Sequence, residues 1–240
     1  MRFNLLTSFY LILSLAGTSA FAKVTNTNNE AALISHLEQV ASNSHHSVSY
    51  SSARKDLLGD LYLERTNNTY FITDVYCEKE YRAPGPGKVP NNAVINVEHT
   101  WPQSKFGGRD RRMQKSDLHH LFPTDSELNS IRGNHPFGIV EQPTKVLKCQ
   151  TSKIGRNAQG QLVFEPPAAH KGNVARALFY FSIRYGLKID ATQEAVLRQW
   201  HEEDPVDYEE IERNTEISQI QGNINPFIEH PEYVNAISDF

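Results

Sequence analysis

Two short segments carry side chains whose types and spacing suit hydrolysis of a phosphodiester. The first is Asn96-Val97-Glu98-His99-Thr100-Trp101-Pro102-Gln103-Ser104. A neutral imidazole accepts a proton from water near neutral pH, because an unperturbed histidine titrates at about 6.5. His99 therefore has the chemistry of a general base. Charge at the phosphoryl group also needs stabilising, which a hard divalent cation does. Such a cation takes oxygen ligands, and Mg²⁺ keeps several waters beside one or two protein groups. The Glu98 carboxylate and the Asn129 amide oxygen meet that requirement. Neighbours on a regular strand face opposite sides, so Glu98 and His99 share one site only where the chain bends. Trp101-Pro102 supplies such a bend.

The second segment is Ser116-Asp117-Leu118-His119-His120-Leu121-Phe122-Pro123. It reads as a short strand or extended loop. Asp117, His119 and His120 stand either behind the reacting groups or in a purely structural role. Thr124-Asp125-Ser126-Glu127 then reads as a capping box, with Thr124 as N-cap and Glu127 at the third helical position. Asn129 falls in the opening turns of that helix, which ends near Gly133. Between the two segments lie Lys105, Arg109, Arg111, Arg112 and Lys115, opposed only by Asp110. Cations so placed hold phosphates without reading sequence. Strand, basic loop, extended segment and short helix follow the order of a ββα-metal finger.

The elements that must position these groups are mostly helical. Residues 30–41 carry Leu33, Leu37 and Val40 on one stripe. A second helix is expected from Ser52 to about Tyr62, and 70–76 looks extended. Pro and Gly make 83–87 a loop. Val94 to Val97 reads as a short strand. Val174 to Tyr185 is apolar on several faces, as in a deeply buried helix, and stops at Gly186. Asp190 caps a helix reaching Trp200, and another runs from about Val206 to Gly222. Helices at both ends with short strands between them imply an α+β, largely helical single domain, not a doubly wound sheet.

Of the 240 residues, 1–22 read as a signal peptide: Arg2, a short apolar core, and an Ala-x-Ala ending at Ala22. Residues 23–240 then form one exported domain, without membrane association once the leader is removed. The core of the leader is too short to span a bilayer comfortably. The simplest pairing of Cys77 and Cys149 in an exported chain is one disulfide. A formal net charge of −4 argues against a uniformly nucleic-acid-binding surface, but the charge is uneven. Eight acids crowd Glu202 to Glu216, away from the basic run.

At these residues the chain resembles the endonuclease I family of periplasmic and secreted bacterial nucleases. The matching pieces are Glu98-His99 with Pro102, Asp117-Leu118-His119, and Glu127-x-Asn129-x-x-Arg132-x-Asn134. The likeness continues through Ala175-Arg176, Tyr185-Gly186, Trp200, Pro205-Val206-Asp207 and Ile220-Gln221-Gly222-Asn223-x-Asn225-Pro226-Phe227. The resemblance implies that Glu98 and Asn129 bind one divalent ion, with Mg²⁺ ahead of Ca²⁺ or Mn²⁺. It also implies that His99 activates water, giving 5′-phosphate ends on DNA or RNA or both. Arg132 joins the basic run among the candidates for holding the substrate phosphate. A periplasmic or secreted monomer is expected.

Two other classes fit some of these features. An exported protein that binds nucleic acid without cutting it would need only the basic run. A zinc hydrolase of peptides or esters would use the histidines, but the chain has no H-E-x-x-H helix, and Glu98 with Asn129 suits a harder ion.

Overall fold

In the computed structural model, which describes residues 27–108 and 110–240, the chain opens with helices α1 (Thr27–Ser42) and α2 (Tyr50–Asp56). Strands β1 (Glu64–Thr66), β2 (Thr69–Thr73) and β3 (Glu80–Ala83) form an antiparallel sheet in that order. Strand β4 (Ile95–His99) leads through the short helix α3 (Arg111–Ser116) to β5 (Leu121–Asp125), its antiparallel partner. Helix α4 (Ser126–Arg132) follows directly. A third antiparallel sheet holds β6 (Gln142–Lys145), β7 (Lys153–Arg156) and β8 (Leu162–Glu165). Helices α5 (Lys171–Tyr185), α6 (Ala191–Glu203), α7 (Tyr208–Gln221), α8 (Pro226–Glu229) and α9 (Tyr233–Ala236) complete an α+β architecture. The expected leader at 1–22 and Arg109 lie outside the described residues.

Helix α5 is the axis of the main core. Val174, Ala175, Leu178, Phe179, Tyr180 and Phe181 are all buried, so the helix is covered on every side, as its sequence implied. Trp200 from α6 and Phe227 from α8 pack in the same cluster. A smaller cluster of Leu57, Ile72, Ile95, Val97, Leu121 and Ile217 seats the β4–β5 pair. The helix ends obey the sequence: Gly186 (φ +62°) and Gly222 (φ +88°) adopt the left-handed caps that side chains resist. Asp190 accepts from the backbone N–H of Thr192 and Gln193. Cys77 and Cys149 are joined, 72 residues apart in sequence. Chain entropy alone makes a loop of that size worth about 4 kcal/mol. Among the described residues no helix is long and apolar enough to cross a membrane.

Four local expectations are corrected. The helix expected over 52–62 divides: regular turns end at Asp56, and a wider turn covers Leu57–Leu61. There the 85–87 loop crosses against Gly59, with the Gly87 N–H on the Gly59 carbonyl at 3.0 Å. The cap of α4 is Asp125, not Thr124, because Thr124 pairs with Asn96 inside β5. Asp125 Oδ1 accepts from the N–H of Glu127 and Leu128 at 3.0 and 3.1 Å, so Glu127 sits one position earlier than a capping box requires. The basic loop contains α3, because the run after Gly107-Gly108 has only residues that helices tolerate. Finally, β4 runs through Glu98 and His99, and the bend begins at Thr100.

Candidate active site

The register of β4 decides which way each group departs. Asn96 and Glu98 share one face, and α4 lies across it. Val97 and His99 share the other. His99 meets the rings of Tyr50, Phe106 and His120, at centroid distances of 5.4, 6.0 and 5.5 Å. Glu98 instead forms an ion pair with Arg132 of α4, Nη1 to Oε1 at 2.6 Å. Both residues nevertheless border one cleft of about 600 Å³, together with Asn96, Gln103, Asn129 and Asn134. A strand end at the cleft edge achieves what a bend between the two residues was expected to do.

His99 is held in one tautomer. Its Nε2 lies 3.0 Å from the Lys115 carbonyl, which can only accept, so Nε2 carries the proton. Nδ1 is left as the basic nitrogen, and the Gln103 side-chain amide donates to it at 3.3 Å. Burial, with His120 adding to it, pushes the imidazolium down to about 3, against the pull of the Lys115 carbonyl. The ring is therefore neutral at ordinary pH, as a proton acceptor must be.

Asn129 is oriented with equal definition. Its amide nitrogen donates to Asn96 Oδ1 at 2.8 Å and to the Val97 carbonyl at 3.0 Å. Both amide hydrogens are thus engaged, and Oδ1 presents its lone pairs elsewhere. Glu98 is 1% exposed, and burial pushes its carboxyl up to about 7 against the Arg132 guanidinium and a Tyr76 hydroxyl. Among the described residues no group of three or more His, Cys, Asp and Glu could hold a metal ion. Glu98 and Asn129 both border the cleft with oxygen donors, the donor type that hard divalent cations take.

The remaining candidates separate by depth. Arg132 is 1% exposed, yet it borders the same cleft as Glu98, His99 and Asn129. Besides Glu98 it donates to the His99 and Thr100 carbonyls at 3.0 and 2.7 Å, and its guanidinium covers the Phe137 ring. Lys105, Arg111, Arg112 and Lys115 are exposed. Asp117, His119 and His120 are buried and line no part of the cleft. The Asp117 carboxylate accepts from the hydroxyls of Tyr180 and Tyr185, both at 2.8 Å, and from Gln221 at 2.8 Å. Burial opposes its charge, but His45, His119, His120 and Gln221 hold it well below the usual carboxylate range. The acids of α7 border a different cleft, with Asp207, Glu209, Glu212 and Glu216, that shares no lining residue with this one.

Sequence reading missed Asn96, Gln103 and Tyr50. Asn96 had a signal: it lies two residues before Glu98 on the same strand face. Gln103 stood in the quoted segment without an assigned role. Tyr50, 49 residues before His99 in sequence, had no local signal at all.

A sequence profile described as Endonuclease I matches residues 30–232. A periplasmic deoxyribonuclease of Aeromonas hydrophila is 34% identical over 162 residues, which are 60% of this chain and 67% of that protein. An extracellular ribonuclease of Bacillus amyloliquefaciens is 32% identical over 251 aligned residues, covering 96% of this chain and 82% of its own length. An endonuclease-1 of Buchnera aphidicola (strain APS) is 30% identical over 150 residues, 56% of this chain and 59% of that protein.

Proposed function

Since the chain belongs to the endonuclease I family, we propose that its cleft hydrolyses phosphodiester bonds within DNA or RNA chains, without sequence preference, using His99 as the base. The chain is an exported nuclease, with relatives named both deoxyribonuclease and ribonuclease. The observation that supports the mechanism is the His99 tautomer: Nε2 is fixed on the Lys115 carbonyl, and Nδ1 meets Gln103, which lines the same cleft as Glu98 and Asn129.

Nucleases of this kind generally use a divalent metal. Glu98 and the Asn129 amide oxygen would hold it, with Mg²⁺ the ion that suits two protein oxygens best. Bound there, it supplies charge stabilisation for the phosphoryl and leaving oxygens. The protein's own residues do the rest. His99 Nδ1 takes the proton of the attacking water. Arg132 pairs with Glu98, offsetting part of the burial that raises its carboxyl, and fixes the backbone of the bend through two carbonyls. Asn96 turns the Asn129 amide so that its oxygen is outward. Lys105, Arg111, Arg112 and Lys115 draw the polyanion to the cleft. Attack by water needs no 2′-hydroxyl, so the same site can serve DNA, RNA or both, and the products carry 5′-phosphates. Release beyond the inner membrane, to the periplasm or the medium, follows the relatives' named locations.

The test is incubation of the exported form with plasmid DNA and with structured RNA, each with Mg²⁺ and with excess chelator. Metal-dependent shortening of either polymer is expected. Intact polymers across several divalent ions, from folded protein that still retards them in a gel, would favour a binding protein instead.

A further inference from the structure

Tyr50 borders two clefts. One is the candidate active site. The other is a groove of about 630 Å³ between the start of α2 and helix α3, lined by Ser47, Val48, Asp110, Arg112, Met113 and Lys115. Among the described residues Tyr50 is the one residue the two share. A strand whose phosphate lies beside His99 must therefore pass this ring to enter the groove.

The groove has the mixed chemistry of a nucleotide subsite. Tyr50, Val48 and Met113 offer apolar surface, and Arg112 and Lys115 offer cations. The volume lies within the roughly 300–1,000 Å³ that small-ligand pockets occupy. Lys115 Nζ rests 4.8 Å from the centre of the Tyr50 ring. Its side chain is exposed, so the ammonium can move to a phosphate when a base takes the ring. The Lys115 backbone, meanwhile, stays fixed by its carbonyl on His99.

We propose that this groove binds one unpaired nucleotide adjoining the cut phosphate, with Tyr50 as the stacking platform and Arg112 and Lys115 as its phosphate contacts. The inference rests on the nuclease reading and extends it to specificity. Stacking on a protein ring requires an exposed base face. In a duplex each base is covered above and below by its neighbours, so the platform is of use only to single strands, loops and ends. The enzyme accordingly prefers unpaired to paired substrate, whether DNA or RNA.

The experiment compares kcat/KM on an unstructured single-stranded oligonucleotide and on the blunt duplex containing it, with Mg²⁺. The wild type should favour the single strand, and Tyr50→Leu should reduce the single-strand-to-duplex ratio about tenfold. Tyr50→Phe should retain the ratio, because the ring and not the hydroxyl carries it. A ratio unchanged in Tyr50→Leu, whatever happens to the absolute rate, overturns the proposal and leaves Tyr50 as packing for His99. So does a ratio that falls equally in Tyr50→Phe. If Tyr50→Leu does not fold, Tyr50→Trp offers a second readout: emission quenched in chelator by the single strand and not by the duplex. Equal quenching by both overturns the subsite. A wild type that cuts neither substrate refutes the nuclease reading instead, so the two failures are distinguishable.

Discussion

His99 and the pair His119 and His120 use one device for different ends. Each of the three gives Nε2 to a backbone carbonyl: Lys115 for His99, Asn223 for His119 and Gln114 for His120. Each is pushed below its ordinary titration range, first by burial. The difference is at the other nitrogen. In His99, Nδ1 meets Gln103 at the wall of a cleft. In His119 and His120, Nδ1 is buried without a hydrogen-bond partner. On the proposed mechanism, chemistry and framework are separated by access to one ring atom, not by residue type or by charge state.

Substitutions should divide along that line. The largest effect is expected from His99→Ala, which should lower kcat by about 10²–10⁴-fold in protein that still folds. Its thermal midpoint should be lowered, because the lost ring is buried against Tyr50, Phe106 and His120. Near-normal turnover in that variant would remove His99 from the reaction. Beneath it, Asp117→Ala should destabilise by about 3–5 kcal/mol, because two tyrosine hydroxyls and Gln221 lose a buried charged acceptor. Denaturant midpoints measure this directly, and a loss under about 1 kcal/mol would mean that the network is not a keystone of the fold.

The framework histidines also set a pH dependence. Unfolded, each takes a proton near 6.5. Folded, each resists until about 4, chiefly through burial, with Asp117 pulling the other way. Between those values the unfolded chain binds more protons, so stability is complete above about pH 6.5 and declines as the pH falls toward 4. The expected size is roughly 2–3 kcal/mol per ring. Thermal midpoints taken from pH 7 to 4 should show the decline, and His120→Gln should flatten it. A flat wild-type profile in that window would mean that the rings titrate normally. The smallest effect is expected at Asn96→Ala. Freeing the Asn129 amide should raise the Mg²⁺ concentration needed for half-maximal cutting about tenfold. An unchanged metal titration would show that Asn96 does not orient the ligand.

The sequence made the periodic parts of this molecule legible. The α5 run, the Asp190 cap and the glycine stops at 186 and 222 are local signals, and all three stand. Candidates for the reacting groups could likewise be picked from residue chemistry in two short segments, and the fold brings His99, Glu98 and Asn129 to one cleft. What escaped was set by pairing across the chain. Thr124 has the composition of a cap, but its register against Asn96 draws it into a strand and passes the capping to Asp125. Arg132 stands near the end of a short helix in sequence, but the carboxylate it pairs with lies 34 residues earlier at Glu98. Tyr50 reaches His99 from an element that the local pattern around His99 does not contain.

The tautomer of His99 is the most direct test of the mechanism, because the role of Nδ1 depends on it. Imidazole nitrogen NMR of the folded protein at neutral pH, with His99→Ala used to assign the signals, reads the two ring nitrogens separately. The expected result is a neutral His99 ring with the proton on Nε2 and a bare Nδ1. A proton found on Nδ1, or a ring that is charged at pH 7, would contradict the assignment of His99 as the base.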